Sequence, residues 1–175
     1  PPFHAEDGIR DLVLSLVGSE MCIRDRAMSV PIISQLKRKH LAAGNGDRVV
    51  ILDAQPGTSC PVVETMRDAD FVLMVTEPTP FGLHDLRLAV QVARGELGLP
   101  VGVVVNRDGI GDAGVDEYCT AEEIPVLMRI PLDRRIAEAI SEGQALVEAL
   151  PEYRAVFWEL YRQIARLVTG WEDSQ

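Results

Sequence analysis

Apolar runs and amphipathic stretches alternate along this chain. Val49-Val50-Ile51-Leu52 is one continuous apolar run, closed by Asp53, and Phe71–Val75 is a second, closed by Thr76 and Glu77. Val101–Val105 is a third, ending at Asn106-Arg107-Asp108-Gly109, and Pro125–Ile130 is a fourth. Runs of this length bounded by turn residues predict strands buried on both faces, as in a parallel sheet. The first spans residues 48–53. Helical patterns lie between and around them. Residues 29–41 predict an amphipathic helix with Ser29 as N-cap and Pro31 in its first turn, ended by Gly44-Asn45-Gly46. Residues 61–69 predict a short helix, 83–97 a longer one, and 114–122 and 132–141 two more, the last stopping at Gly143. In the final helix, 151–169, Val156, Leu160, Ile164 and Leu167 predict the core-facing stripe. Strands alternating with helices predict an α/β fold: right-handed βαβ units building a parallel sheet flanked by helices. No internal repeat or low-complexity tract interrupts the pattern.

The stretch with the most chemistry is Arg48–Pro61, R-V-V-I-L-D-A-Q-P-G-T-S-C-P. Asp53 falls at the carboxyl end of the first strand, where open α/β sheets place their ligands. A carboxylate there suits a hard cation such as Mg²⁺, or the orientation of a water. The alternative is an Asp that only caps the following turn. Gly57 lets a bare backbone N–H come close to a terminal phosphate; as an alternative it is a plain turn glycine.

From Thr58 to Leu86 the chain reads T-S-C-P-V-V-E-T-M-R-D-A-D-F-V-L-M-V-T-E-P-T-P-F-G-L-H-D-L. This resembles the MinD/ParA-type P-loop ATPases, most closely the subgroup with an inserted 4Fe-4S ferredoxin domain, and the resemblance extends from Met28 to about Gly143. That subgroup usually reads D-A-P-P-G where this chain has Gln55 in place of the first proline, which keeps the D-x-x-P-G spacing and is expected to loosen the turn. The resemblance implies that Asp53 serves the Mg²⁺ shell and the catalytic water, that Asn106 recognises adenine and that Arg107 flanks the base. An amide suits a base edge because it donates and accepts together. Ile130-Pro131 falls where the family brackets the same ring. Cys60, seven positions after Asp53, is similar to a cluster-ligating Cys of the nitrogenase iron protein; its other reading is a small buried Cys or a helix N-cap position. His84 and Asp85 belong to the resemblance without a chemical role.

Neither G-x-x-x-x-G-K-[ST] nor a C-x-x-C-x-x-C run occurs in the chain. Within the resemblance both would precede Ala27. The expectation is an incomplete P-loop NTPase (Rossmann-like) domain over residues 27–175, lacking its N-terminal part and inactive alone. The parent would be a homodimeric ATPase using ATP and Mg²⁺, with 4Fe-4S clusters in the upstream region and an electron-transfer or iron–sulfur protein as partner. Two other readings share the fold. A cobyrinate-synthase-type ligase or amidotransferase would need a substrate pocket and usually a glutaminase domain. A positioning ATPase would want a basic amphipathic C-terminal helix, whereas this chain ends W-E-D-S-Q.

Residues 1–26 break the pattern. Ala5–Asp11 is a translation of GCA GAA GAC GGC ATA CGA GAT, and Leu16–Arg26 of a transposase adaptor, both resembling DNA-sequencing library ends. They are expected to be non-native and are left out of fold reasoning, Cys22 with them. At 175 residues the chain accommodates one full domain. Its net charge of −10 argues against a nucleic-acid surface or an anionic membrane surface. No apolar run reaches the length of a membrane span. Three widely spaced cysteines make no disulfide framework, so a reducing cytoplasm is expected.

Overall fold

The V-G-V-V-V run is the central strand of the sheet. Val101–Val105 are all buried, Val103 and Val105 completely. A strand buried on both faces must be covered by a layer on each side. The computed structural model describes residues 26–41 and 49–169. Two compact units divide after Asp68 and are described separately.

The second unit carries a three-stranded parallel sheet in the order β1 (Val72–Thr76), β2 (Val101–Asp108), β3 (Val126–Pro131). Between β1 and β2 runs α3 (Pro80–Val90), continued by a π-helical turn, Gln91–Glu96. The chain reaches β3 through α4 (Gly114–Ala121). After β3 come α5 (Arg134–Ser141), the single turn α6 (Leu146–Ala149) and α7 (Glu152–Thr169). Side chains alternate across a strand, so Val104 faces away from Val103 and Val105. Val104 packs with Met128, Leu150, Tyr153 and Leu160. On β1, α3 packs and also meets α4. Each fully buried Val of β2 contributes about 1.5–3 kcal/mol relative to exposure.

Starts and stops follow local chemistry. Thr79 caps α3 by accepting the Gly82 N–H (3.1 Å), with Pro80 in the first turn, so this helix begins three residues before the apolar pattern does. Asp133 caps α5 through the Arg135 N–H (2.9 Å).

Two expectations in this unit change. The α7 face that meets the core is Tyr153–Phe157–Leu160–Ile164, whereas Val156 and Leu167 are 40% and 51% exposed. The apolar stripe on this helix is wide, and the aromatic rings of Tyr153 and Phe157 turn it toward β3. On β1 only one face is buried, that of Val72, Met74 and Thr76; Leu73 and Val75 are 36% and 65% exposed. Within this unit α7 packs on β3.

The first unit contains α1 (Arg26–Leu41) and α2 (Cys60–Met66), packed together. Lys37, only 7% exposed, donates from Nζ to the carbonyls of Glu64 (2.9 Å) and Arg67, satisfying groups at the C-terminal end of α2. Ser34 Oγ donates to Glu64 Oε1, and that hydrogen bond, ahead of the Arg67 charge, holds the Glu64 carboxyl below its ordinary range. Because α1 starts at Arg26, Ser29 is a buried interior residue rather than an N-cap, and Pro31 lies inside the helix. The expected strand 48–53 is not formed: residues 49–55 carry no strand pairing, and Val49 and Ile51 are 58% and 57% exposed. An apolar run becomes a strand only with a neighbour for its backbone groups, and among the described residues none pairs with it. Of the adaptor-like segment 1–26, all but Arg26 lies outside the described residues.

Candidate functional site

The sequence-predicted site residues fall in both units. In the second unit they meet at the carboxyl ends of the strands, where a parallel sheet presents ligand-binding groups. Asn106 is half-buried near the end of β2, and its register partner on β3 is Ile130. Pro131 is exposed and pairs with Asp108. The two positions expected to bracket a ring therefore lie one strand away from Asn106. The Ile130 side chain also packs against the Val104–Tyr153 cluster, so it is anchored in the core rather than free in a loop.

Arg107 is the unusual residue. Between Asn106 and Asp108 the pairing with β3 slips, leaving Arg107 as an extra residue without a partner on that strand. Its φ is +54°, a left-handed conformation that costs an L-residue about 1–2 kcal/mol. Bulges of this kind re-aim side chains at strand ends and gather at active sites. The Arg107 guanidinium reaches the end of β1, where it lies 3.5 Å from each oxygen of the Glu77 carboxylate.

The segment that holds Glu77 is tightly built. Thr76, buried, donates from Oγ1 to the Gly82 carbonyl (2.9 Å), and a Cβ on Gly82 would lie 2.2 Å from the Glu77 carbonyl oxygen. Asp112 N–H donates to the Pro78 carbonyl (3.1 Å), joining the loop after β2 to the loop after β1. Gly111 permits this approach: its φ is +81°, and a Cβ there would sit 1.5 Å from Pro78 O. The T-E-P-T-P-F-G motif thus works as a scaffold for the strand ends. His84 and Asp85 are exposed on α3.

On the other side of Asn106, Arg129 of β3 bridges Asp108 (3.3 Å) and Asp116 of α4. The Asp116 hydrogen bond raises the Arg129 pKa further above its already high value, so Arg129 stays charged between the two carboxylates. Sequence reading missed Glu77, Asp108, Gly111, Asp116 and Arg129. The only hint was polar residues closing each apolar run, which marks a strand end but does not say which ends will pair.

In the first unit Asp53 is exposed and its loop is ordered by a local bond: Gln55 Nε2 donates to Ser59 Oγ (3.0 Å). Gln55 thus ties the turn through a side-chain bond that a proline cannot make. Gly57 has φ +102° with open space where a Cβ would stand, so the backbone conformation is what asks for glycine. Cys60 is exposed as the first residue of α2, with Ser59 in the N-cap position, so the buried-Cys reading does not hold. Cys119 is 2% exposed, and burial pushes its thiol pKa up. Among the described residues no three His, Cys, Asp or Glu side chains gather as a metal site. A four-thiolate cluster does not fit what is described here. Mg²⁺ does fit, since it is commonly held by one or two carboxylates plus substrate phosphates, and an exposed Asp53 can be one of them.

A groove of about 1110 Å³ runs between α3 and α4, lined by Leu83, Arg87, Tyr118 and Glu122 among others, with Arg87 over the Tyr118 ring at 5.3 Å. None of the sequence-predicted site residues lines it. Among the described residues no helix is long and apolar enough to cross a membrane.

No protein-family model matches the chain. It is similar to an uncharacterised protein of Methanocaldococcus jannaschii, 34% identical over 117 residues, which is 67% of this chain and 39% of that protein. It is also similar to the cytosolic Fe-S cluster assembly factor Nubp2 homologue of Anopheles gambiae, 27% identical over 138 residues, covering 69% of this chain and 52% of the relative. Among solved structures it resembles the cell division ATPase MinD of Pyrococcus furiosus with a TM-score of 0.57 and 28% identity, over 82% of this chain and 59% of that one. The chain thus spans between two-fifths and about half of the length of these curated relatives.

Proposed function

We propose, for a chain that belongs to the MinD/ParA type of P-loop ATPase, that it carries the base-side and metal-side halves of an ATP site in an ATPase linked to iron–sulfur function. The observation that carries the reading is the convergence of Asn106, the Arg107 bulge and the Ile130-Pro131 strand end at the carboxyl edge of one parallel sheet. In this reading Asn106 uses its amide to donate to and accept from the adenine edge, and Arg107 flanks the ring. Asp53 would take part in the Mg²⁺ shell or orient the attacking water, and Gly57 would offer its backbone N–H to the terminal phosphate. Mg²⁺, when bound, neutralises charge on the phosphates. The phosphate cradle and its lysine belong to sequence outside residues 27–175, and residues 1–26 are adaptor-derived.

The iron–sulfur assignment draws support from relatives named as cytosolic Fe-S cluster assembly factors, which also favours a cytoplasmic protein. Its finer form is the subgroup with a 4Fe-4S ferredoxin insert upstream, working as a homodimer with an electron-transfer or iron–sulfur protein partner. Cys60, exposed at a helix start, would be one ligand of a cluster only with a second ligand from upstream sequence.

A pair of variants in the full-length protein tests the site. Asp53→Asn should spare nucleotide binding and lower turnover by about two to three orders of magnitude, because the loss falls on transition-state charge. Asn106→Ala should weaken ATP binding by about 1–3 kcal/mol and narrow the preference for ATP over GTP, with bound-state turnover largely kept. Equal loss of binding in both, or an unchanged ATP/GTP ratio in Asn106→Ala, contradicts the assignment.

A further inference from the structure

We propose that Glu77 is a positioning residue for base selection: its ion pair with Arg107 fixes the bulge of β2 that aims Asn106. This rests on the reading of Asn106 as the base-recognising residue. Three observations lead to it. Arg107 is one of three non-glycine residues among those described with positive φ, and it sits where the register between β2 and β3 breaks. Such a conformation persists only where its surroundings hold it, and it gathers at functional sites. The hold comes from across the sheet: Glu77 is on the strand end next to β2, and both its oxygens lie 3.5 Å from the same Arg107 nitrogen.

Glu77 is itself a fixed post. The Thr76–Gly82 turn has no room for a Cβ at Gly82, and the Asp112–Pro78 hydrogen bond ties it to the loop following β2. Toward β3, Arg129 is already engaged with Asp108 of β2 and with Asp116. The two residues that follow Asn106 are therefore both tied to a neighbouring strand, Arg107 to Glu77 at the end of β1 and Asp108 to Arg129 of β3. Without the Glu77 contact the Arg107 bulge loses its hold, and with it the placing of Asn106, the residue just before it. An amide that swings offers donor and acceptor to adenine and guanine less selectively.

The pair is half-exposed, with side chains 50% and 38% accessible, so its effect is modest. In the full-length protein Glu77→Gln should reduce the ratio of GTP to ATP dissociation constants by about two- to five-fold, the range an exposed ion pair supports. Glu77→Asp should restore part of it. The decisive comparison is the double variant: on an Asn106→Ala background Glu77→Gln should change the ratio no further. Circular dichroism and a thermal midpoint on each variant show that it is folded. If Asn106→Ala narrows the ratio but Glu77→Gln leaves it alone, or weakens both nucleotides equally, Glu77 has no positioning role. If Asn106→Ala itself leaves the ratio unchanged, the base-recognition reading fails first, and this inference with it.

Discussion

Two glycines in the loop after β2 offer a controlled test of how the strand ends are held together. Gly109 and Gly111 both have left-handed backbones, φ +96° and +81°. They differ in what a side chain would meet: a Cβ on Gly109 finds nothing within 4 Å, while one on Gly111 lies 1.5 Å from Pro78 O and 2.7 Å from Pro78 C. Gly109→Ala should therefore cost only the conformational strain, about 1–2 kcal/mol. Gly111→Ala incurs the same strain plus a clash with backbone, which no rotamer change relieves. The two loops must separate, and the Asp112–Pro78 hydrogen bond at 3.1 Å is lost, worth about 0.5–1.5 kcal/mol net. Gly111→Ala should thus be less stable than Gly109→Ala by about 1 kcal/mol or more, which in a unit of this size is a gap of about 4–8 °C in thermal midpoint. Far-UV circular dichroism during heating and in urea measures it, with an unchanged urea slope confirming that both variants unfold from the same compact state. Equal losses in the two variants would show that the close approach of these loops contributes nothing to stability, and the description of the strand ends as one braced platform would be wrong.

Exposure separates the two described cysteines. Iodoacetamide at mildly alkaline pH should modify Cys60 in the native protein and reach Cys119, buried and with its thiol pKa pushed up by burial, only after denaturant is added. Peptide mass mapping reads this directly, and native labelling of Cys119 at the Cys60 rate would contradict its burial. For the α1–α2 unit, the Glu64 carboxyl titrates below its ordinary range when folded. Its stabilising contribution is complete above the ordinary glutamate range and is lost as pH falls through the lower folded value. Hydrogen exchange should show α1 and α2 losing protection over that acid window, and Glu64→Gln should remove the pH dependence; an identical pH profile in the variant would mean that another group carries it.

Much of this fold was open to reading from residue patterns, because the determinants are local. V-G-V-V-V has no polar residue to face solvent and became the central strand, Gly102 included, where a Cβ would come within 2.8 Å of both Leu127 and Phe71. The start of α3 was expected three residues late, at Leu83, although the local signals for it stand in T-P-F-G, and α5 begins at Arg134, after its Asp133 cap, within the expected 132–141. The site was legible only in its strand-end residues. The apolar run put Asn106 at a strand end and only the family resemblance gave it a role, while its setting is non-local: the Glu77 partner of Arg107 is 30 positions away, and Arg129 reaches back 21 positions to Asp108. A left-handed arginine leaves no mark on composition or periodicity, since nothing in N-R-D-G says that the residue with positive φ, besides the glycine, is Arg107.

The errors share a physical origin that bears on function. An apolar run records a need for cover and carries no information on what supplies it. Val49–Leu52 and Phe71–Val75 read alike as buried strands, yet the first pairs with nothing described and the second keeps one face open at Leu73 and Val75. The same limit applied to α7, where any of several apolar faces met the periodicity and the aromatic contacts with β3 chose among them. Where a run lies between two neighbours in the same unit, as β2 does between β1 and β3, pattern and structure agree. Where the run stands at the margin of the unit, the pattern overstates burial. Among the aliphatic positions of the three strands, Leu73 and Val75 are therefore those at which apolar-to-polar substitution should be tolerated best in this chain taken alone, and least in any assembly that covers β1. Leu73→Thr and Val75→Thr, compared in the isolated chain and in the longer protein, separate these situations: a loss of stability confined to the longer protein means that the face is covered there, and equal tolerance in both means that it stays open to water.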